Sequence, residues 1–129
     1  MSLLRHEISD FSLTAYHNGK LETVTKKTLL GKWSVLFFYP ADFSFVCPTE
    51  LADLADNYKT FQSIGCEVYS CSCDTEWSHQ AWHDSSKRVK KVTFPMLSDP
   101  SGELAQAFDV FNEETGLAEV TLLSIHMVK

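Results

Sequence analysis

Five consecutive apolar residues, Val35-Leu36-Phe37-Phe38-Tyr39, read as a strand over 34–39 that is buried on both faces. The period then changes. Leu51, Leu54, Ala55, Tyr58, Phe61 and Ile64 recur at helical spacing and predict an amphipathic helix over 48–64. A second apolar run predicts a strand over 66–73, and Asp74 is a candidate cap for a helix over about 75–90 that packs through Trp77, Ala81 and Trp82. Upstream, 11–16 and 21–24 flank Asn18-Gly19, a strong hairpin signal. Downstream, 92–97 reads as a short extended segment, and Asp99-Pro100-Ser101-Gly102 opens a short helix through about 108. Val120 to Met127 alternates loosely but is β-prone, enough for one strand position. Strands alternating with helices predict an α/β layered fold. With no repeat, low-complexity stretch or linker, 1–129 reads as a single domain.

Composition narrows the function. A chain of 129 residues with 44% hydrophobic content suffices for one core. A net charge of −6 argues against nucleic-acid or membrane-surface partners. The basic run Lys87-Arg88-Val89-Lys90-Lys91 reads as a solvated helix end, where cations suit the dipole. No apolar run reaches membrane-spanning length, and the segment Met1 to Glu7 lacks a signal-peptide core. Four cysteines without secretory signals point to a reducing compartment, and the expected location is cytoplasmic.

The candidate chemistry centres on Cys47, which lies between the buried strand and the helix. Pro48 suits a first helical position, because its missing N–H has no intrahelical partner there. Free N–H groups and the macrodipole at that end favour an anion, hence the nucleophilic thiolate. The competing reading is a buried structural cysteine. A low pKa alone is not enough for catalysis. A thiol moved from about 8.5 to about 6 goes from roughly 3% to 90% ionised at pH 7, only about 30-fold, and nucleophilicity falls with pKa. Donors aimed at developing charge must supply the rest, each worth about 10²–10³.

The surrounding residues resemble the peroxiredoxins, of the alkyl hydroperoxide reductase C type. Phe38-Tyr39-Pro40-Ala41-Asp42-Phe43-Ser44-Phe45-Val46-Cys47-Pro48-Thr49-Glu50-Leu51 is similar to the family's peroxidatic loop. Ser72-Cys73-Asp74-Thr75, His79-Gln80-Ala81-Trp82-His83-Asp84, Pro95 to Pro100, Phe108-Asp109-Val110 and Glu113 to Ala118 follow in family order. The resemblance covers residues 1 to 119 and implies a thioredoxin-like three-layer fold. It also implies that Cys47 reduces hydrogen peroxide and organic hydroperoxides and becomes sulfenic acid. Pro40 would shield the thiol, and Ser44, where the family has threonine, would hydrogen-bond thiolate and peroxide. Val46 completes the substrate pocket, and Glu50 either orients donors or is a surface acid. No metal, haem or flavin cofactor is implied. Electrons in such enzymes come from a flavoprotein disulfide reductase or thioredoxin, and members form dimers joined into rings.

The match stops after Glu119. The family's arginine is expected just after Gly116-Leu117-Ala118, but the sequence reads Glu119-Val120-Thr121. A second Val-Cys-Pro with the resolving cysteine has no counterpart in the sequence given. The expectation is a truncated or frame-shifted product, incomplete at the C-terminal strand and helix and prone to association through an uncovered sheet. It would act at best as a one-cysteine enzyme recycled by an external thiol. The alternative is a non-catalytic chain, acting if at all as a holdase-like binder. Cys71 and Cys73 share one strand face and Cys66 takes the other, which suits core packing, with Cys73 as an outside candidate for a resolving thiol. Cys71, Cys73, His79 and His83 form a rival zinc set, although the cysteine spacing is unusual for zinc.

Overall fold

The computed structural model describes residues 10–17, 19–42 and 47–126, excepting the side chains at 47, 48 and 124–126. The apolar run becomes β3 (Trp33–Phe38), which lies inside a six-stranded sheet. Its neighbours are β4 (Cys66–Ser72), in parallel, and β8 (Thr121–His126), antiparallel. The sheet continues through β5 (Met96–Ser98) to β1 (Ser12–His17) and ends on β2 (Lys20–Thr25), giving the order β2-β1-β5-β4-β3-β8. The β1–β2 hairpin forms as the Asn18-Gly19 signal predicts, with Gly19 at φ 85. The β-prone tail supplies β8 over Thr121–His126, with Leu123 paired to Leu36.

Two apolar clusters cover the two sheet faces, which makes the fold three-layered. On one face Leu36, Phe38 and Cys71 pack with Leu29 of α1 (Lys26–Leu29) and with Leu104 and Ala105 of α5 (Glu103–Ala107). A small ribbon, β6 (Phe111–Asn112) and β7 (Leu117–Ala118), closes that side, with Ala118 buried. On the other face Val35, Phe37, Tyr39 and Cys66 pack with Leu51 of α2 (Cys47–Asp56), Tyr58 of α3 (Tyr58–Ser63) and Trp82 of α4 (Glu76–Ser85). Cys66 and Cys71 thus take opposite faces, as strand alternation requires.

Several boundaries depart from expectation. The helix over 48–64 is two helices, α2 and α3, divided at Asn57. Asn57 leaves helical geometry at φ −103, ψ 3; its Nδ2 donates to the Asp53 carbonyl at 2.8 Å and shares it with a lengthened ladder bond from its own backbone N–H at 3.3 Å. The helix over 75–90 ends at Ser85 and resumes as a 3₁₀ turn, Val89–Lys91. That turn buries Val89, while Arg88 bonds Thr49 and Lys91 pairs with Asp56 at 3.7 Å, so the basic run lies along α2 with its charged side chains exposed to solvent. Thr75, not Asp74, caps α4, its Oγ1 accepting from Ser78 N at 3.3 Å. The segment 92–97 forms a strand only as Met96–Ser98.

Gly102 opens α5 at φ 73, and a Cβ there would lie 2.4 Å from Phe111 Cε1. Gly102→Ala combines left-handed strain with overpacking and should cost about 1–3 kcal/mol, read as a lower urea midpoint at unchanged slope. On the α2–α3 side, Leu122 of β8 is 60% exposed and borders a groove of about 260 Å³ shared with Phe37, Leu54 and Phe61. Among the described residues, no helix is long and apolar enough to cross a membrane.

Candidate active site

The site forms where the parallel strands end. Tyr39 N donates to the Cys71 carbonyl at 3.1 Å, carrying the β3–β4 ladder one residue past β3. The chain then bends at half-buried Pro40 and turns at buried Asp42. Beyond 43–46, Cys47 is the first residue of α2, one position before the expected start. Its backbone therefore occupies a helix N-terminus, where unpaired N–H groups gather. Ser44 and Val46 lie outside the described residues, as does the Cys47 side chain. Glu50 stands in the first turn of α2 and borders the groove beside Leu122.

A cation reaches the same turn from the basic run. Arg88 Nη1 donates to Thr49 Oγ1 at 2.7 Å. This contact spans 39 positions in sequence, and the run gave no sign of it.

A buried polar network fixes the β3 exit from Tyr39 to Asp42. The Asp42 carboxylate accepts from the Tyr39 hydroxyl at 2.7 Å and from His79 Nδ1 at 2.7 Å. Its backbone N–H donates to Asp74 Oδ2 at 2.8 Å, which also accepts from the Ser72 hydroxyl at 2.7 Å. His79 Nε2 donates to the Leu97 carbonyl at 2.8 Å. The side chains of His79 and Asp42 are 0% and 1% exposed. Burial pushes the His79 pKa down, but Asp42, the Leu97 carbonyl and Asp74 more than offset this and leave it raised. Burial also pushes the Tyr39 hydroxyl well above its usual range, so it stays a donor.

These bonds also occupy three of the four histidine nitrogens of the rival zinc set. Both ring nitrogens of His79 are engaged, and His83 Nε2 donates to the Val92 carbonyl at 2.8 Å. Asp74, expected as a helix cap, instead serves Asp42 and Ser72.

The other thiols are poor nucleophiles. Burial pushes the Cys66 thiol up, helped by Glu67, and pushes Cys71 well up, helped by Asp99. Cys73 is raised by burial, partly offset by a hydrogen bond from the Ala118 backbone, with Asp99 and Asp74 adding to the rise. That contact turns Cys73 toward the β6–β7 ribbon, on the sheet face opposite α2, which weakens its candidacy as a resolving thiol.

Known proteins resemble this chain in sequence and fold. The chain is 51% identical over 119 residues to alkyl hydroperoxide reductase C of Bacillus subtilis, covering 92% of this chain. It is 50% identical over the same length to its counterpart from Salmonella typhimurium. The crystal structure of Enterococcus faecalis AhpC superposes with a TM-score of 0.90 at 46% identity, over 93% of this chain and 72% of that one. That likeness bears out the thioredoxin-like fold expected from sequence. The chain spans 64% of the length of these two curated relatives. The AhpC/TSA family model runs from residue 4 to residue 126, through both sides of the turn that Cys47 opens, and the chain belongs to that family.

Proposed function

We propose that the chain is a thiol-dependent peroxidase in which Cys47 reduces hydrogen peroxide and organic hydroperoxides. The observation that carries this reading is the place of Cys47, first in α2 and directly downstream of the β3 exit, in a chain of this family. The Cys47 thiolate attacks the distal peroxide oxygen. A sulfur–oxygen bond forms, the O–O bond breaks, and the departing oxygen takes a proton to become alcohol or water. Sulfur is oxidised by two electrons to sulfenic acid and the peroxide is reduced by two. An external thiol then attacks the sulfenic sulfur and expels water, and a second thiol releases Cys47 from the mixed disulfide. Pro40 limits access of bulk water, Ser44 donates to the reacting oxygens, and Val46 walls the pocket. A flavoprotein disulfide reductase or thioredoxin is the reductant class, with self-association of copies and a cytoplasmic setting.

The purified chain with excess dithiol should convert cumene hydroperoxide to its alcohol, with a sulfenic-acid trap landing on Cys47. Unchanged consumption after selective alkylation of Cys47 would sink the reading.

Arg88 adds a modest electrostatic contribution at the helix turn. Its attraction for a nearby thiolate acts through solvent and is no stronger than an exposed ion pair, about 0.2–1 kcal/mol. Arg88→Ala should slow iodoacetamide alkylation of Cys47 at pH 7 about twofold, and 1 M salt should shrink the difference.

A further inference from the structure

Asp42 lies five positions before Cys47 in sequence, at the end of the segment that leaves β3. Its bonded partners come from different parts of the fold: Tyr39 at the β3 exit, Asp74 beyond β4, and His79 on α4, which is itself bonded to Leu97 of β5. All the named contacts measure 2.7 or 2.8 Å.

Hydrogen-bond chemistry assigns the protons. The Leu97 carbonyl can only accept, so His79 Nε2 carries hydrogen. Toward Asp42, His79 Nδ1 either donates to a carboxylate or accepts from a carboxylic acid. Tyr39 already donates to the other oxygen, which favours the carboxylate and hence an imidazolium. A neutral imidazole would set its Nδ1 lone pair against Asp42 Oδ2 at 2.7 Å. The charged groups facing the ring are Asp42 and Asp74, with Tyr39 acting through Asp42.

We propose that His79 is a positioning residue of the Cys47 site, holding Asp42 and the β3 exit from Tyr39 to Asp42, five residues upstream of Cys47, through a buried charge-assisted hydrogen bond. The proposal rests on the peroxidase reading above. His79 touches no reacting atom; it acts through Asp42. Because its folded pKa is raised above 6.5, the stabilisation is fully present below about pH 6.5 and is lost as pH rises through the folded value. Thiolate formation runs the other way, so the reactivity of Cys47 per thiolate should decline on the alkaline side.

Two variants separate positioning from mere stability. His79→Gln cannot bond both Asp42 and Leu97, and it should slow Cys47 oxidation by hydrogen peroxide about 10- to 100-fold at pH 6.5. Asp42→Asn keeps every bond without charge: the introduced amide donates through its Nδ2 to a neutral His79 Nδ1, and its Oδ1 accepts from Tyr39. D42N should react within about threefold of the parent at pH 6.5, and it should lack the alkaline decline in rate per thiolate, with the thiolate fraction measured by alkylation. A folded H79Q with parental rate, or a D42N profile that declines like the parent's, overturns the proposal. If H79Q unfolds, the D42N profile decides alone. A parent whose Cys47 is no faster than Cys66 overturns the peroxidase reading itself, and this inference with it.

Discussion

Cys47→Ser should lower peroxide consumption by the chain about 10³-fold, to the level of the three remaining thiols. The hydroxyl cannot be oxidised to a sulfenic acid, and it is not ionised near neutral pH. The magnitude follows from two contributions. A helix N-terminus that shifts a thiol to mostly thiolate gives about 30-fold at pH 7, and one backbone donor aimed at developing charge adds about 10². The remaining thiols start below an ordinary cysteine, because burial raises all three. Serine is close to cysteine in size, so the melting midpoint should hardly move while activity collapses. Peroxide loss followed by a coupled colorimetric assay, beside a thermal melt, checks both halves. A C47S chain that consumes peroxide at the parental rate contradicts the assignment.

Phe38→Ala should cost about 3–5 kcal/mol. Phe38 is fully buried on β3, hydrogen-bonded through its strand to both β4 and β8, and its ring lies 5.9 Å from that of Phe108. Removing the ring leaves a cavity between the sheet and the α5 side, where the backbone on both flanks is held in the ladder and cannot collapse inward. Against a typical domain stability of about 5–15 kcal/mol, that loss leaves a chain close to its folding threshold. It also loosens the strand that leads to Pro40 and Asp42, so Cys47 reactivity should fall with it. Urea unfolding followed by tryptophan fluorescence reads the stability change. A loss under about 1 kcal/mol would show that this face of the sheet is not tightly packed.

The central strands were legible because burial on both faces leaves little room for polar residues. Val35 to Tyr39 and the stretch around Val68 to Cys71 announce themselves for that reason. The break at Asn57 was not legible, because the apolar period runs through it from Leu54 to Phe61 while only the backbone departs. Asp74 and Thr75 are both competent caps, and their neighbours in sequence do not separate them. The choice is made by Asp42, which recruits Asp74 from 32 positions away. Likewise Val89 looks like a member of a charged run, yet it is buried against α2 and carries Arg88 and Lys91 onto that helix.

The site divides in the same way. The position of Cys47 at a strand-to-helix junction follows from local pattern alone, and the backbone agrees. The residues that hold the approach to it do not. His79 and Asp42 are 37 apart, and neither has a local partner that marks it. In sequence His79 stood out only as part of the segment resembling the family and as one member of a minor rival zinc set. Its two hydrogen bonds, to a carboxylate and to a strand carbonyl, exist only once α4 has packed across the ends of β3 and β5.

The most direct test of the account is the rate at which stoichiometric hydrogen peroxide oxidises each cysteine at pH 7, read by rapid quench, sulfenic-acid trapping and mass spectrometry. The account predicts that Cys47 reacts at least about 10²-fold faster than Cys66, Cys71 or Cys73. Equal rates at all four cysteines would contradict it.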